Sequence, residues 1–99
     1  MEVLLREYEL AVVIRPDLGE EELPEALERV RRLVTSRGGE IVKEDQWGKR
    51  RLAYPIGKHL EGNYLISEVK LPPERIKDIE SGLHISEEVL RHILIRKDD

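Results

Sequence analysis

The sequence predicts an α+β domain built in the order β-α-β-β-α-β. Stretches with the apolar alternation of half-buried strands, stretches with apolar residues at helical spacing, and Gly or Pro between them carry that prediction.

The first strand runs from Arg6 to Arg15, where Tyr8, Leu10, Val12 and Ile14 alternate with Glu7, Glu9, Ala11 and Val13. Pro16 ends it, because proline has no N–H for the ladder. Asp17 followed by Glu20 resembles a capping box, and Glu20, Glu21 and Glu22 suit the positive end of a helix dipole. Pro24 is tolerated in a first turn. Leu23, Leu27, Val30 and Val34, joined by Ala26 and Leu33, form an apolar stripe, and Gly38-Gly39 stops the helix. Glu40 to Ile56 reads as a long, bent strand. It is apolar at Ile41, polar around Gly48, where a bulge or bend is expected, and apolar again at Leu52, Tyr54 and Ile56. Gly57 to Gly62 reads as a turn. Asn63 to Leu71 is the third strand, with Leu65, Val69 and Leu71 on one face and Tyr64, Ile66 and Glu68 on the other. Pro72-Pro73 breaks it and opens a second helix, whose stripe is Ile76, Ile79 and Leu83, with Gly82 near its end. Val89 to Lys97 is the last strand, and Asp98-Asp99 is expected to fray.

This order is the ferredoxin-like split β-α-β-β-α-β arrangement: a four-stranded antiparallel sheet with two helices on one face. Right-handed crossovers place the first and third strands centrally. The helix-facing set is then Leu10, Val12, Ile14, Leu65, Val69, Leu71, Ile93 and Ile95, and the other face of the sheet stays open. Residues 1–99 make one domain with one modest core. There is no cysteine, so disulfides and thiolate metal sites are excluded. No apolar run approaches the length of a membrane span, and the opening Met1-Glu2-Val3-Leu4-Leu5-Arg6 is too short and acidic for a signal peptide. A cytoplasmic, reduced setting fits these features.

Net charge is −4, but it is unevenly spread. Asp17 to Glu28 holds six acids and no base, whereas Trp47 to His59 holds four bases and no acid. Leu90 to Lys97 adds Arg91, His92, Arg96 and Lys97, again without an acid. A nucleic-acid face needs local positive potential, not a basic protein. Lys and Arg neutralise phosphates, and flat rings and guanidinium planes stack on bases. The same cations also serve as ordinary edge-strand protection. On a strand Lys49, Arg50 and Arg51 alternate, so Arg50 is expected to face away from Lys49 and Arg51. Trp47 is either a binding platform or a cap on the hairpin end of the core. Tyr54, before Pro55, reads as structural: a half-buried ring with its hydroxyl tied to a neighbour. The third strand offers only Tyr64, so stacking of several bases on the sheet is not expected, and contacts to phosphates and sugars fit better.

The run Trp47-Gly48-Lys49-Arg50-Arg51-Leu52-Ala53-Tyr54-Pro55-Ile56, followed by Lys58, closely resembles the signature segment of the bacterial small ribosomal subunit protein six family. Arg6-x-Tyr8-Glu9, with Pro16-Asp17 closing its strand, and the apolar–cationic strand Val89 to Lys97 resemble the family in the same order, covering about residues 6–97. The resemblance implies a structural protein of the small subunit. It would bind the central domain of small-subunit ribosomal RNA together with small-subunit protein eighteen during assembly, without enzymatic turnover. The contacts it implies, to RNA or to the partner, are Arg6, Trp47, Lys49, Arg50, Arg51, Lys58, Arg91, His92 and Arg96. The chain begins about three residues earlier than the usual pattern, with Val3-Leu4-Leu5 before Arg6, and it ends at Asp99 without the acidic tail of some members. A modification directed at that tail would be lacking here.

Catalysis finds little support. His59, His84 and His92 have no ligand-like spacing, no nucleophile–base pair is suggested, and no metal or cofactor is expected. Acylphosphatase chemistry on the same element order needs a glycine-containing phosphate loop with an Arg after the first strand, and Arg15-Pro16-Asp17-Leu18-Gly19 is too acidic for that. The alternative is a regulatory or oligomerisation module that binds a protein or small ligand through its open sheet, with Leu94 exposed on the edge strand Val89 to Lys97.

Overall fold

The computed structural model describes residues 4–97, so the fraying expected at Asp98-Asp99 lies outside the described residues. Period-two alternation in Arg6–Ile14 (β1) buries Tyr8, Leu10, Val12 and Ile14, and β1 becomes one of the two inner strands. The other elements are Glu22–Thr35 (α1), Glu40–Ile56 (β2), His59–Leu71 (β3), Ile76–Ile85 (α2) and Val89–Arg96 (β4). A short 3₁₀ turn, Pro73–Arg75, leads into α2. The sheet order is β2-β3-β1-β4, with every neighbouring pair antiparallel. Leu65, Val69 and Leu71 of β3 join the β1 residues against Ala26, Leu27, Val30 and Val34 of α1 and Ile79 and Leu83 of α2. The ion pair of Arg31 with Glu44, at 2.8 Å, ties α1 to β2.

The start of α1 differs from the capping box read from Asp17 and Glu20. Glu22 reaches back to the Gly19 N–H at 3.2 Å, and the Gly19 carbonyl accepts from the N–H groups of Glu22 and Leu23. Asp17 instead accepts from Nε and Nη2 of Arg15, each at 2.8 Å. That hydrogen-bonded guanidinium holds the Asp17 carboxyl well below the usual carboxylate range. A carboxyl depressed in the folded state contributes stability that is present above its unfolded pKa and lost as pH falls toward its folded value. Asp17→Asn is therefore expected to lower the melting temperature at neutral pH, with the difference narrowing below about pH 4. Thermal melts of both proteins across an acid series check this.

Three strand boundaries and one strand face depart from the sequence reading, the first being β1, which ends at Ile14 rather than Arg15. The turn read as Gly57 to Gly62 is shorter: β3 begins at His59, opposite Ile56, leaving Gly57-Lys58 as a two-residue connection. Gly57 takes φ +59°, a left-handed value that glycine adopts without strain. At the other end, β4 stops at Arg96 rather than Lys97. The larger correction is the face of β4. Ile93 and Ile95 do not face the helices: they are 43% and 55% exposed on the open side, while Leu94 packs against the core. The register gives the reason. Ile14 pairs with Val89 and Val13 pairs with Arg91, so Leu90 is an extra residue and the side-chain phase flips across it. An edge strand with Leu94 exposed is corrected by the same observation.

Candidate nucleic-acid interface

β2 and β3 continue past the end of β1, which stops at Ile14 opposite Asn63. The residues beyond form a hairpin arm. Asn63 closes the end of β1 by donating from its side-chain amide to the Arg15 carbonyl at 3.1 Å. Gly48, at φ +76°, marks a register shift between Gln46 and Gly48, as the sequence suggested. A second irregularity falls between Arg51 and Ile56, where Pro55 has no N–H to offer the ladder.

These irregularities aim the side chains. The extra residue before Gly48 puts Trp47 on the open face, stacked on Tyr64 with ring centroids 6.3 Å apart and an interplanar angle of 18°. Trp47 Nε1 donates to Asp45 Oδ2 at 3.1 Å, which holds the indole in place. Arg50, opposite Gly62, lies over the Trp47 ring at 5.4 Å from its centroid, and its Nε donates to the Trp47 carbonyl at 3.4 Å. Lys49, opposite Asn63, and Arg51, opposite Glu61, lie on the other face of the arm, matching the expected alternation. Neither has an ion-pair partner among the described residues, and both are exposed. Lys58 stands exposed in the turn at the tip.

The irregular stretch Leu52–Pro55 carries Tyr54 across the end of the sheet to β4. There Arg91 lies over its ring at 5.4 Å. Because β2 and β4 are opposite edges of the sheet, this contact bends the arm over a small cleft of about 70 Å³ lined by Val13, Leu52, Tyr54, Tyr64 and Arg91. Tyr54 is thus not a half-buried ring tied through its hydroxyl. It is 55% exposed and held through its face. Removing the cation with Arg91→Ala is expected to cost about 0.5–1 kcal/mol and to speed amide exchange in residues 52–56. Denaturant titration and hydrogen exchange measure the two effects.

The predicted contacts therefore divide by location. Trp47 and Arg50 stack on the open face with Arg91 on the same face against Tyr54, Lys49 and Arg51 line the other side of the arm, and Lys58 tips it. Arg6, His92 and Arg96 are not brought to this group. Arg6 pairs with Leu71 and Arg96 with Tyr8 at the far end of the sheet, and His92, opposite Val12, faces α2 with Nε2 3.7 Å from Glu80 Oε2. Tyr54 and Tyr64 complete the aromatic–cation surface. Tyr64 was legible as an open-face residue, but its stacking on Trp47 depends on a bulge that alternation alone does not locate.

Below this end, the open face carries the apolar strip Ile66, Ala11, Ile93 and Ile95. Glu68 follows, with its carboxyl held below the usual range by hydrogen bonding to Lys97. Among the described residues no group of His, Asp and Glu is placed to hold a metal ion, and no helix is long and apolar enough to cross a membrane.

The sequence matches the family profile described as Ribosomal protein S6 over residues 7–96. The small ribosomal subunit protein bS6 of Caldanaerobacter subterraneus subsp. tengcongensis is 44% identical over 95 residues, covering 96% of this chain and all of that protein. The bS6 protein of Carboxydothermus hydrogenoformans is 40% identical over 95 residues, covering 96% of this chain and 99% of that protein. The crystal structure of the 30S ribosomal protein S6 of Thermotoga maritima is similar with a TM-score of 0.88 at 29% identity, covering 95% of this chain and 89% of that one. The chain belongs to the ribosomal protein S6 family, a protein of the bacterial small ribosomal subunit and so of the cytoplasm.

Proposed function

We propose that the protein binds the central domain of small-subunit ribosomal RNA jointly with small-subunit protein eighteen during assembly, and that it works by binding alone. The observation that carries this reading is the β2–β3 hairpin, which presents Lys49 at the last rung shared with β1, and Arg51 and Lys58 beyond it, without ion-pair partners among the described residues. Uncompensated cations on such an arm neutralise phosphates and position the protein on RNA. Trp47 and Arg50, held against each other and against Tyr64, supply a flat, partly desolvated surface on the other side of the arm. The apolar strip Ile66, Ala11, Ile93 and Ile95 suits the protein partner, with Arg91 at its border. Arg6 and Arg96 at the far end of the sheet, and His92 beside α2, are further candidate contacts for partner or RNA.

The test is binding of the purified protein to a central-domain RNA fragment, with and without protein eighteen, across a salt series. Tight binding that needs the partner and weakens steeply with salt supports the reading. The exposed Ile93 and Ile95 on the edge strand favour a second reading, self-association through β4. No RNA binding under either condition, with a concentration-dependent dimer by sedimentation, would replace the first reading with the second.

A further inference from the structure

The helical layer, on the side of the sheet away from the arm's aromatic–cation surface, contains a groove of about 370 Å³ between α1, α2 and the start of β4. It is larger than the cleft under the arm, and it falls within the usual size range of ligand pockets, about 300–1,000 Å³. Its lining is mostly apolar, from Ala26, Val30, Leu83 and Val89. Gly82 lets α2 approach α1 closely along one wall, since a Cβ there would lie 2.6 Å from Leu33 Cδ1, and Ser36 and Ser86 also line the groove.

The charge around this groove is one-sided. Arg29 is neutralised by Glu88, with contacts of 2.8 and 2.5 Å. Arg32 and Arg37 are not neutralised: no carboxylate pairs with either among the described residues. Arg37 donates from Nη1 to Ser36 Oγ at 2.8 Å, while its buried Nε has no hydrogen-bond partner among the described residues. With no carboxylate already paired to them, the guanidinium groups of Arg32 and Arg37 can donate charge-assisted hydrogen bonds to an incoming acid. Apolar floor and uncompensated guanidinium rim together select a ligand with both features.

We infer that this groove docks an acidic peptide segment of a protein partner, with a bulky apolar side chain in the Ala26–Val30–Leu83–Val89 floor and a flanking carboxylate on Arg32 and Arg37. Charge complementarity singles out the acidic segment, and the groove's size admits a side chain or two rather than a helix. The site lies on the face opposite the open sheet, so it stays accessible when that sheet is covered. It is independent of the reading of the arm as an RNA contact.

The probe is a dye-labelled, acetylated pentapeptide, Asp-Phe-Leu-Asp-Asp, titrated against the full chain by fluorescence anisotropy. Its counterpart with Lys for each Asp serves as the control. The expected result is saturable binding of the acidic peptide only. That binding should weaken by about tenfold in Arg32→Glu/Arg37→Glu. It should also weaken in Ser86→Leu, which fills the groove without touching the charge. Both variants are checked for an unchanged melting profile, and Arg32→Gln/Arg37→Gln replaces the reversal if that profile shifts. Absence of binding, equal binding of both peptides, or acidic-peptide binding insensitive to the charge and filling variants would overturn the proposal. Displacement of the peptide by decanoate at lower concentration than by unlabelled peptide would overturn it in favour of a site for amphiphilic anions.

Discussion

Lys49→Ala/Arg51→Ala is expected to lower the affinity of the protein, in the presence of protein eighteen, for central-domain RNA by about tenfold or more at physiological salt. The log–log salt dependence should flatten by roughly 1.4–1.8, the loss of two phosphate contacts at about 0.7–0.9 each. Both side chains are exposed and free of ion pairs among the described residues, so folding stability should change by no more than about 0.5 kcal/mol. Arg50→Ala should behave differently. Arg50 is exposed too but lies over the Trp47 ring, so its loss should unseat the indole and cost stability of about 0.5–1 kcal/mol, with a smaller change in salt slope. Equilibrium binding of the three proteins across a salt series separates the roles. Equal salt slopes for the wild-type protein and the double variant would sink the assignment of Lys49 and Arg51 as phosphate contacts.

That distinction between neighbouring cations was half legible in the sequence. Period-two alternation correctly set Arg50 against Lys49 and Arg51, because it is a local property of an extended chain. The fate of Arg50 was not legible, since it depends on a bulge that turns Trp47 toward Tyr64 from the neighbouring strand. The same limit explains β4. Val89, Leu90, Leu94, Ile93 and Ile95 are apolar in both phases, so composition gives no preference, and a one-residue bulge at Leu90 chooses the buried set. Where one phase is charged and the other apolar, as in β1 and in residues 63–71, the reading and the structure agree on every buried position named. Element order and the extent of β2 were likewise legible from Gly and Pro punctuation, and the central place of β1 and β3 from right-handed crossovers. Tyr54 was misread for a tertiary reason: its partner, Arg91, is on the opposite edge of the sheet and meets it only because the arm curls.

Gly62 lets β3 approach β1 closely at the base of the arm, and Gly62→Ala is expected to destabilise the fold by about 1–3 kcal/mol while re-aiming the arm. A Cβ at this position would lie 2.3 Å from Val13 Cγ1, with the Ile14 carbonyl at 3.5 Å and Leu52 Cδ2 at 3.6 Å behind it. Val13 is buried and branched at Cβ, so it has little rotameric freedom with which to move aside. The backbone of β3 must shift instead, and Gly62 pairs directly with Arg50. Displacement there loosens the Arg50–Trp47 contact and the Tyr54–Arg91 contact together, so the loss of RNA affinity should exceed what the fraction of unfolded protein accounts for. The companion variant Val13→Ala removes the opposing methyl groups. Alone it should cost stability through lost packing, but in the Gly62→Ala background it should recover at least about 1 kcal/mol, a coupling expected only of residues in contact. Urea titrations of the four proteins in this cycle measure the coupling. Additive effects, with RNA affinity tracking only the folded fraction, would mean that the arm's direction is set elsewhere, by the register shifts within β2.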